Sequence, residues 1–162
     1  MDVEPLGAED YPEETGGTYE ENARLKARFG RDRAPAGVWV LGEDAGIEVE
    51  GLGWGPGVRS ARWSGDPLVE LVAALGDRPD RRARYRSTIF AISPDGREIV
   101  VAGSLEGSIA HRPRGSEGFG YDPIFVPDGE EQTVAELGNR WKSRNSARAR
   151  AARKLRAALD AS

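Results

Sequence analysis

The sequence has no cysteine, which excludes disulfide staples and thiolate metal sites. Its single histidine, His111, stands in "AHRPRG" with no second histidine to pair with. Zinc sites and Ser–His–Asp chemistry therefore have little to build on. No apolar run is long enough to cross a bilayer. The opening "MDVEPLGAED" lacks the basic and apolar regions of a signal peptide. A cytoplasmic protein is the expectation. Its chemistry would be left to carboxylates, cationic side chains and glycines.

The length of 162 residues fits one domain, residues 1–162, that can bury a core unaided. The net charge is only −4, but it is polarised. Residues 1–22 hold eight acids (Asp2, Glu4, Glu9, Asp10, Glu13, Glu14, Glu20, Glu21) and no Lys or Arg. Residues 139–159 hold Arg140, Lys142, Arg144, Arg148, Arg150, Arg153, Lys154 and Arg156 and no acid. Such arrays are solvated faces or anion-binding surfaces. An RNA-contact role for the Arg-rich segment is one reading, and a charged outer helix face is the plainer one. The chain is acidic overall, so no stable nucleic-acid partner is expected.

Thr18 and Glu21 have capping-box spacing, so a helix follows in "YEENARLKARF", with Gly30 as its stop. "GVWVLGEDAGIEV" opens with a buried strand, Val38 to Leu41, that breaks at Gly42. The glycine-rich stretch 51–65 reads as a shaped loop. "PLVELVAAL" is a helix begun by Pro67 and ended by Gly76. "RARYRSTIFAIS" and "REIVVAGSL" form a hairpin across "PDG". A last helix spans roughly 139–158, with Ala147, Ala151, Leu155 and Ala158 as its apolar stripe. The fold class is α/β with a mixed sheet flanked by helices.

Several stretches carry possible chemistry. "GEDAG" sets Glu43 and Asp44 beyond an apolar strand, as a solvated turn or as a carboxylate site for a metal and a water proton. Glu13 and Glu14 lie just before the first helix, where acids are ordinary dipole partners and can also hold metal. Lys26, Lys142 and Arg148 are surface cations or grips for phosphates and base oxygens. "EGFGYDPIFVP" puts Ile124 and Phe125 in the core. In the same stretch Phe119 or Tyr121 could stack on a base, with Asp122 fixing a polar edge.

Taken in order, "EETGGTYEENARLKA", "GEDAGIEVEGLGWGPGVRSARWSG", "PRGSEGFGYDPIFVPDGEEQTVAEL" and "KSRNSARARAARKL" resemble the inosine triphosphate pyrophosphatase family, also called Ham1-like. The resemblance implies an elongated domain, usually dimeric, with a nucleotide in a central cleft. It implies Mg²⁺-dependent hydrolysis of nucleoside triphosphates, deaminated purines preferred, to monophosphate and pyrophosphate. By position, Glu14, Glu43 and Asp44 resemble the metal-site acids, and Asp44 the proton acceptor for water. Lys26 resembles a phosphate contact. Phe119, Gly120, Tyr121, Asp122, Lys142, Ser146 and Arg148 resemble the base-binding residues.

The pattern also departs from the family. The match begins after the family's first strand and its Ser/Thr-Gly-Asn-x-x-Lys phosphate loop, so a shortened member is expected. Ala45 stands where a small hydroxyl is usual, and Ala147 where a base-reading histidine is usual. The alternative expectation is a degenerate relative that binds a nucleotide or a protein partner without turnover.

Overall fold

The computed structural model describes residues 3–8, 10–63 and 65–161. Met1, Asp2, Glu9, Ser64 and Ser162 lie outside the described residues. Helix α1 spans Tyr19–Arg31. The Thr18 hydroxyl accepts the Glu21 N–H at 3.1 Å, and the Glu21 carboxylate accepts the Thr18 N–H at 3.2 Å. That is the capping box the spacing implies. Gly30 does not stop the helix, which runs on to a cap at Asp32. A Cβ on Gly30 would lie 2.7 Å from Val40 Cγ1, so the glycine serves packing against the next strand.

That strand, β1, covers Val40–Val49 and does not break at Gly42. A Cβ on Gly42 would meet Ala23 O at 2.0 Å and Ala27 N at 2.5 Å. The glycine is there so that α1 can lie on the strand backbone. "GEDAG" is therefore mid-strand and not a turn. Glu43 and Asp44, as neighbours in a strand, point to opposite faces of the sheet.

The glycine-rich segment folds into 3₁₀ turns at Glu50–Leu52 and Gly57–Arg62 with a short strand β2, Gly55–Pro56, between them. Helix α2, Pro67–Leu75, is capped by Asp66 and ends at Gly76 as expected. The hairpin is formed by β3, Arg82–Ile92, and β4, Glu98–Ile109. Strand β5, Phe125–Pro127, and the short helix α3, Val134–Leu137, follow. The single last helix proves to be two, α4, Asn139–Asn145, and α5, Ala147–Asp160. The chain leaves helical geometry at Ser146 (ψ 160°), whose hydroxyl caps α5 by accepting the Ala149 N–H at 3.2 Å.

The strands lie in the order β2-β1-β3-β4-β5. The α/β class holds, but the sheet is not mixed: each pairing among the described residues is antiparallel. A parallel pair needs a crossover to the far end of its neighbour. Here β3 and β4 are joined by a tight turn, and β1 returns through short turns and α2. Helix α1 covers one face of β3, with Ala23 and Ala27 on Phe90 and Ile92. Helix α5 covers the other, with Ala151 and Leu155 on Ile89 and Ala91. Burial on both faces explains why this part of β3 is apolar without alternation. A third cluster, including Ile47, Leu71, Leu105, Tyr121 and Phe125, forms the core beneath the cavity described next.

Candidate functional site

A cavity of about 360 Å³ opens between α1, β1, the Gly57–Arg62 turn, residues 119–122 and the α4–α5 junction. It brings together the site residues that the family resemblance picks out: Glu14, Lys26, Glu43, Asp44, Phe119, Gly120, Tyr121, Asp122, Lys142, Ser146 and Arg148 all line it, whereas Glu13 does not.

At one end, Asp44 points from β1 towards α1 and is 4% exposed. Lys26 Nζ lies 3.0 Å from Asp44 Oδ1 and 2.5 Å from Glu14 Oε1. The lysine also donates to Glu43 O at 3.0 Å. Asn22 Nδ2 donates to Asp44 Oδ2 at 3.0 Å. Burial pushes the Asp44 pKa up, Asn22 and Lys26 pull it part of the way back, and the Glu14 charge adds to the rise. Burial pulls Lys26 down, but its bonds to Glu14 and Asp44 outweigh this and hold it above the usual lysine value. Glu14 is steadied by Arg62, whose Nη2 donates to Glu14 O at 3.0 Å and lies 3.7 Å from Glu14 Oε2.

Glu43 faces the other way. Its carboxylate accepts Ser87 Oγ at 2.7 Å and Arg148 Nη2 at 2.9 Å. It would have to leave both to join Glu14 and Asp44 on one ion. Glu14 and Asp44 already converge on a cation, the Lys26 ammonium. Two hard carboxylates fit Mg²⁺, which takes one or two such ligands and completes its shell with phosphate oxygens and water. Among the described residues no group of three or more His, Cys, Asp or Glu stands ready to hold an ion by itself.

The other end is built on Asp122, 2% exposed. Its Oδ1 accepts the Tyr85 hydroxyl at 3.2 Å, and its Oδ2 accepts the Phe119 N–H at 2.9 Å. The Lys142 ammonium pairs closely with the same Oδ2. Lys142 Nζ also sits 3.6 Å from the centre of the Phe119 ring, a cation–π contact. Phe119 is 67% exposed at the rim. Gly118 has φ 77°, and a Cβ there would meet Asp122 Oδ2 at 2.2 Å, so only glycine lets the chain wrap over its own carboxylate. Tyr121 is buried and donates to Ser60 O at 2.8 Å. Burial raises its pKa to about 12. Tyr121 is therefore cavity wall, and Phe119 is the aromatic ring free to meet a ligand.

Of the residues that bond to the site's acids, four carried no reading in the sequence: Asn22, Arg62, Tyr85 and Ser87. Asn22 stands one helical turn before Lys26, and that spacing could have flagged it. The other three arrive through long-range folding and have no local signal.

Such an arrangement defines an α/β domain with a two-ended cleft, an exposed aromatic ring beside a paired lysine at one end and two acids on one lysine at the other. The chain belongs to the Ham1 family, whose profile matches residues 1–158. It is 44% identical over 147 residues to a dITP/XTP pyrophosphatase of Bdellovibrio bacteriovorus, covering 85% of this chain and 73% of that protein. It is 48% identical over 151 residues to one from Symbiobacterium thermophilum, covering 88% and 75%. The Ham1 protein of Staphylococcus aureus superposes with a TM-score of 0.86 at 36% identity, covering 94% of this chain and 82% of that one. A structure from Mycobacterium abscessus described as a nucleoside-triphosphatase / dITP/XTP pyrophosphatase gives 0.72 at 43% identity, covering 93% and 79%.

Proposed function

We propose that this chain hydrolyses nucleoside triphosphates to the monophosphate and pyrophosphate, with Mg²⁺ and a preference for the deaminated purines of ITP, dITP and XTP. That would make it a house-cleaning enzyme of the nucleotide pool. The observation that carries this is the two-ended cavity. A Glu14–Lys26–Asp44 cluster lies at one end, and a Phe119–Lys142–Asp122 cluster at the other. The relatives' activity supports the same reading.

The geometry supports the following roles. Asp44 takes the proton from the attacking water, a task helped by a pKa above the ordinary carboxylate value. Lys26, held between two acids, offers its ammonium to the phosphates. Glu14 and Asp44 would hold Mg²⁺, which when bound neutralises phosphate charge and orders a water. Phe119 stacks on the base, and Lys142 and Arg148 donate to its oxygens. Asp122 keeps Lys142 in place. Hypoxanthine and xanthine present oxygens to these donors, whereas adenine presents an amino donor and leaves them unpaired. Glu43 serves here by holding Arg148.

A cytoplasmic homodimer belongs to the same reading, and light scattering on the purified chain tests the dimer. For the reaction, the chain is incubated with Mg²⁺ and the triphosphates of inosine, xanthosine, guanosine and adenosine, and pyrophosphate is measured. Release from the deaminated purines, absent in an Asp44→Asn control, is expected. Equal release in that control would sink the assignment of Asp44, and none from the wild type would sink the activity.

A further inference from the structure

Asn22 is an amide with no exposed surface on the helix that borders the cavity. Both of its polar ends are used. Nδ2 donates to Asp44 Oδ2 at 3.0 Å, and Oδ1 accepts the Gly16 N–H at 2.8 Å. The amide can sit only one way round, because a backbone N–H can only donate and an ionised carboxylate can only accept. Asn22 lies one turn before Lys26, and the two divide Asp44 between them, Asn22 on Oδ2 and Lys26 on Oδ1. Gly16 is two residues past Glu14 in the strap that leads into α1. A Cβ on Gly16 would lie 2.6 Å from Asn22 Oδ1, so the strap closes on the amide only because residue 16 has no side chain.

We propose that Asn22 is a positioning residue of this site: it fixes the plane of the Asp44 carboxylate and the strap bearing Glu14 relative to each other. The inference rests on the proposed pyrophosphatase activity. A carboxylate torsion is broad and roughly two-fold, so one held oxygen does not set the plane, whereas two do. Asn22 supplies the second hold. The same side chain anchors the strap, so the two acids that converge on Lys26 are tied through one buried group. Outer partners of this kind are worth about 10–100-fold in activity or metal affinity when lost.

Two variants separate the halves of the bridge. Asn22→Asp keeps the shape and the acceptor for the Gly16 N–H, but turns an oxygen towards Asp44. Asn22→Leu removes both bonds. With inosine triphosphate and Mg²⁺, kcat per folded enzyme should fall about 10–100-fold in each. KM should stay within about threefold, because the Phe119–Lys142 end is untouched. Hydrogen exchange at the Gly16 amide gives a readout apart from turnover. It should be slow in the wild type and Asn22→Asp, and about tenfold or more faster in Asn22→Leu. An Asn22→Asp enzyme with kcat near that of an active wild type overturns the proposal. So does a Gly16 amide that exchanges equally in all three. A wild type that releases no pyrophosphate strikes the activity itself, a separate result.

Discussion

Asp44 is nearly buried, and its raised pKa reflects burial first, offset in part by Asn22 and Lys26 and increased by Glu14. The sign matters for both stability and rate. A carboxylate with a folded pKa above its ordinary 3.8 binds a proton in the folded state before the unfolded one as pH falls. Between those two values this group adds stability on acidification and withdraws it as pH rises. Its proposed role in catalysis runs the other way, because only the ionised form accepts a proton. Without Mg²⁺, the contribution of Asp44 to stability should rise on acidification. A cation held by the same carboxylate should lower its pKa, so the acid limb of kcat/KM should move to lower pH as Mg²⁺ rises. Metal-free melts of the wild type and Asp44→Asn, set beside pH–rate profiles at two Mg²⁺ concentrations, check this. An acid limb that does not move with Mg²⁺ would contradict it. Lys142 offers a second residue-scale test. Its ammonium is the counter-ion of a carboxylate that is 2% exposed. Lys142→Met should destabilise by about 1–3 kcal/mol, since it leaves a buried acceptor short of a partner, measured by urea unfolding.

At the scale of elements, two glycines set how closely the helices approach the sheet. Gly42 of β1 would drive a Cβ to 2.0 Å from Ala23 O, and Gly103 of β4 one to 2.1 Å from Ala147 O. Backbone oxygens cannot swing aside, so each helix would have to lift. Gly42→Ala and Gly103→Ala should each cost about 3 kcal/mol, at the upper end of overpacking. They should also differ in function. Helix α1 carries Asn22 and Lys26, so the Gly42 change should lower kcat. Helix α5 carries Arg148, so the Gly103 change should raise KM for the purine. Steady-state kinetics on the two variants separates these outcomes. Ser146→Ala should remove the α5 cap at a cost of about 1 kcal/mol. These same places mark what the sequence leaves unread. The capping box at Thr18, helix α2 and the β3–β4 hairpin are legible because their signals are local. Gly42 looks like a strand breaker, Gly30 like a helix stop and Ser146 like a mid-helix residue. Each is decided by what packs or caps from elsewhere. The site residues were legible through the order of their motifs, and all reach one cavity. The opposite facing of Glu43 and Asp44 was not, because it follows from β1 continuing through Gly42.

The whole molecule places its two clusters on different elements: the proposed phosphate end on Glu14, α1 and β1, the proposed base end on residues 119–122 and α4. Each end can be removed without dismantling the other. Losing Lys142 strips the base end of its donor and of the cation under Phe119, but leaves Glu14, Lys26 and Asp44 bonded as before. In Lys142→Met the ratio of kcat/KM for inosine over adenosine triphosphate should fall about tenfold or more, since a site that reads base oxygens with cationic donors draws its discrimination from them. Losing the Asp44 charge strips the chemistry but not the grip on the base. Asp44→Asn should release little pyrophosphate from any triphosphate. Inosine triphosphate should still stabilise it against heat, by about 2.7 kcal/mol at a hundredfold excess over Kd. Kinetics on the first variant and ligand-dependent melting of the second make the check. If Lys142→Met lowers the rates for both purines equally, the base end does not select. If Asp44→Asn loses ligand stabilisation along with turnover, the two ends do not act separately, and the division of labour along the cavity is wrong.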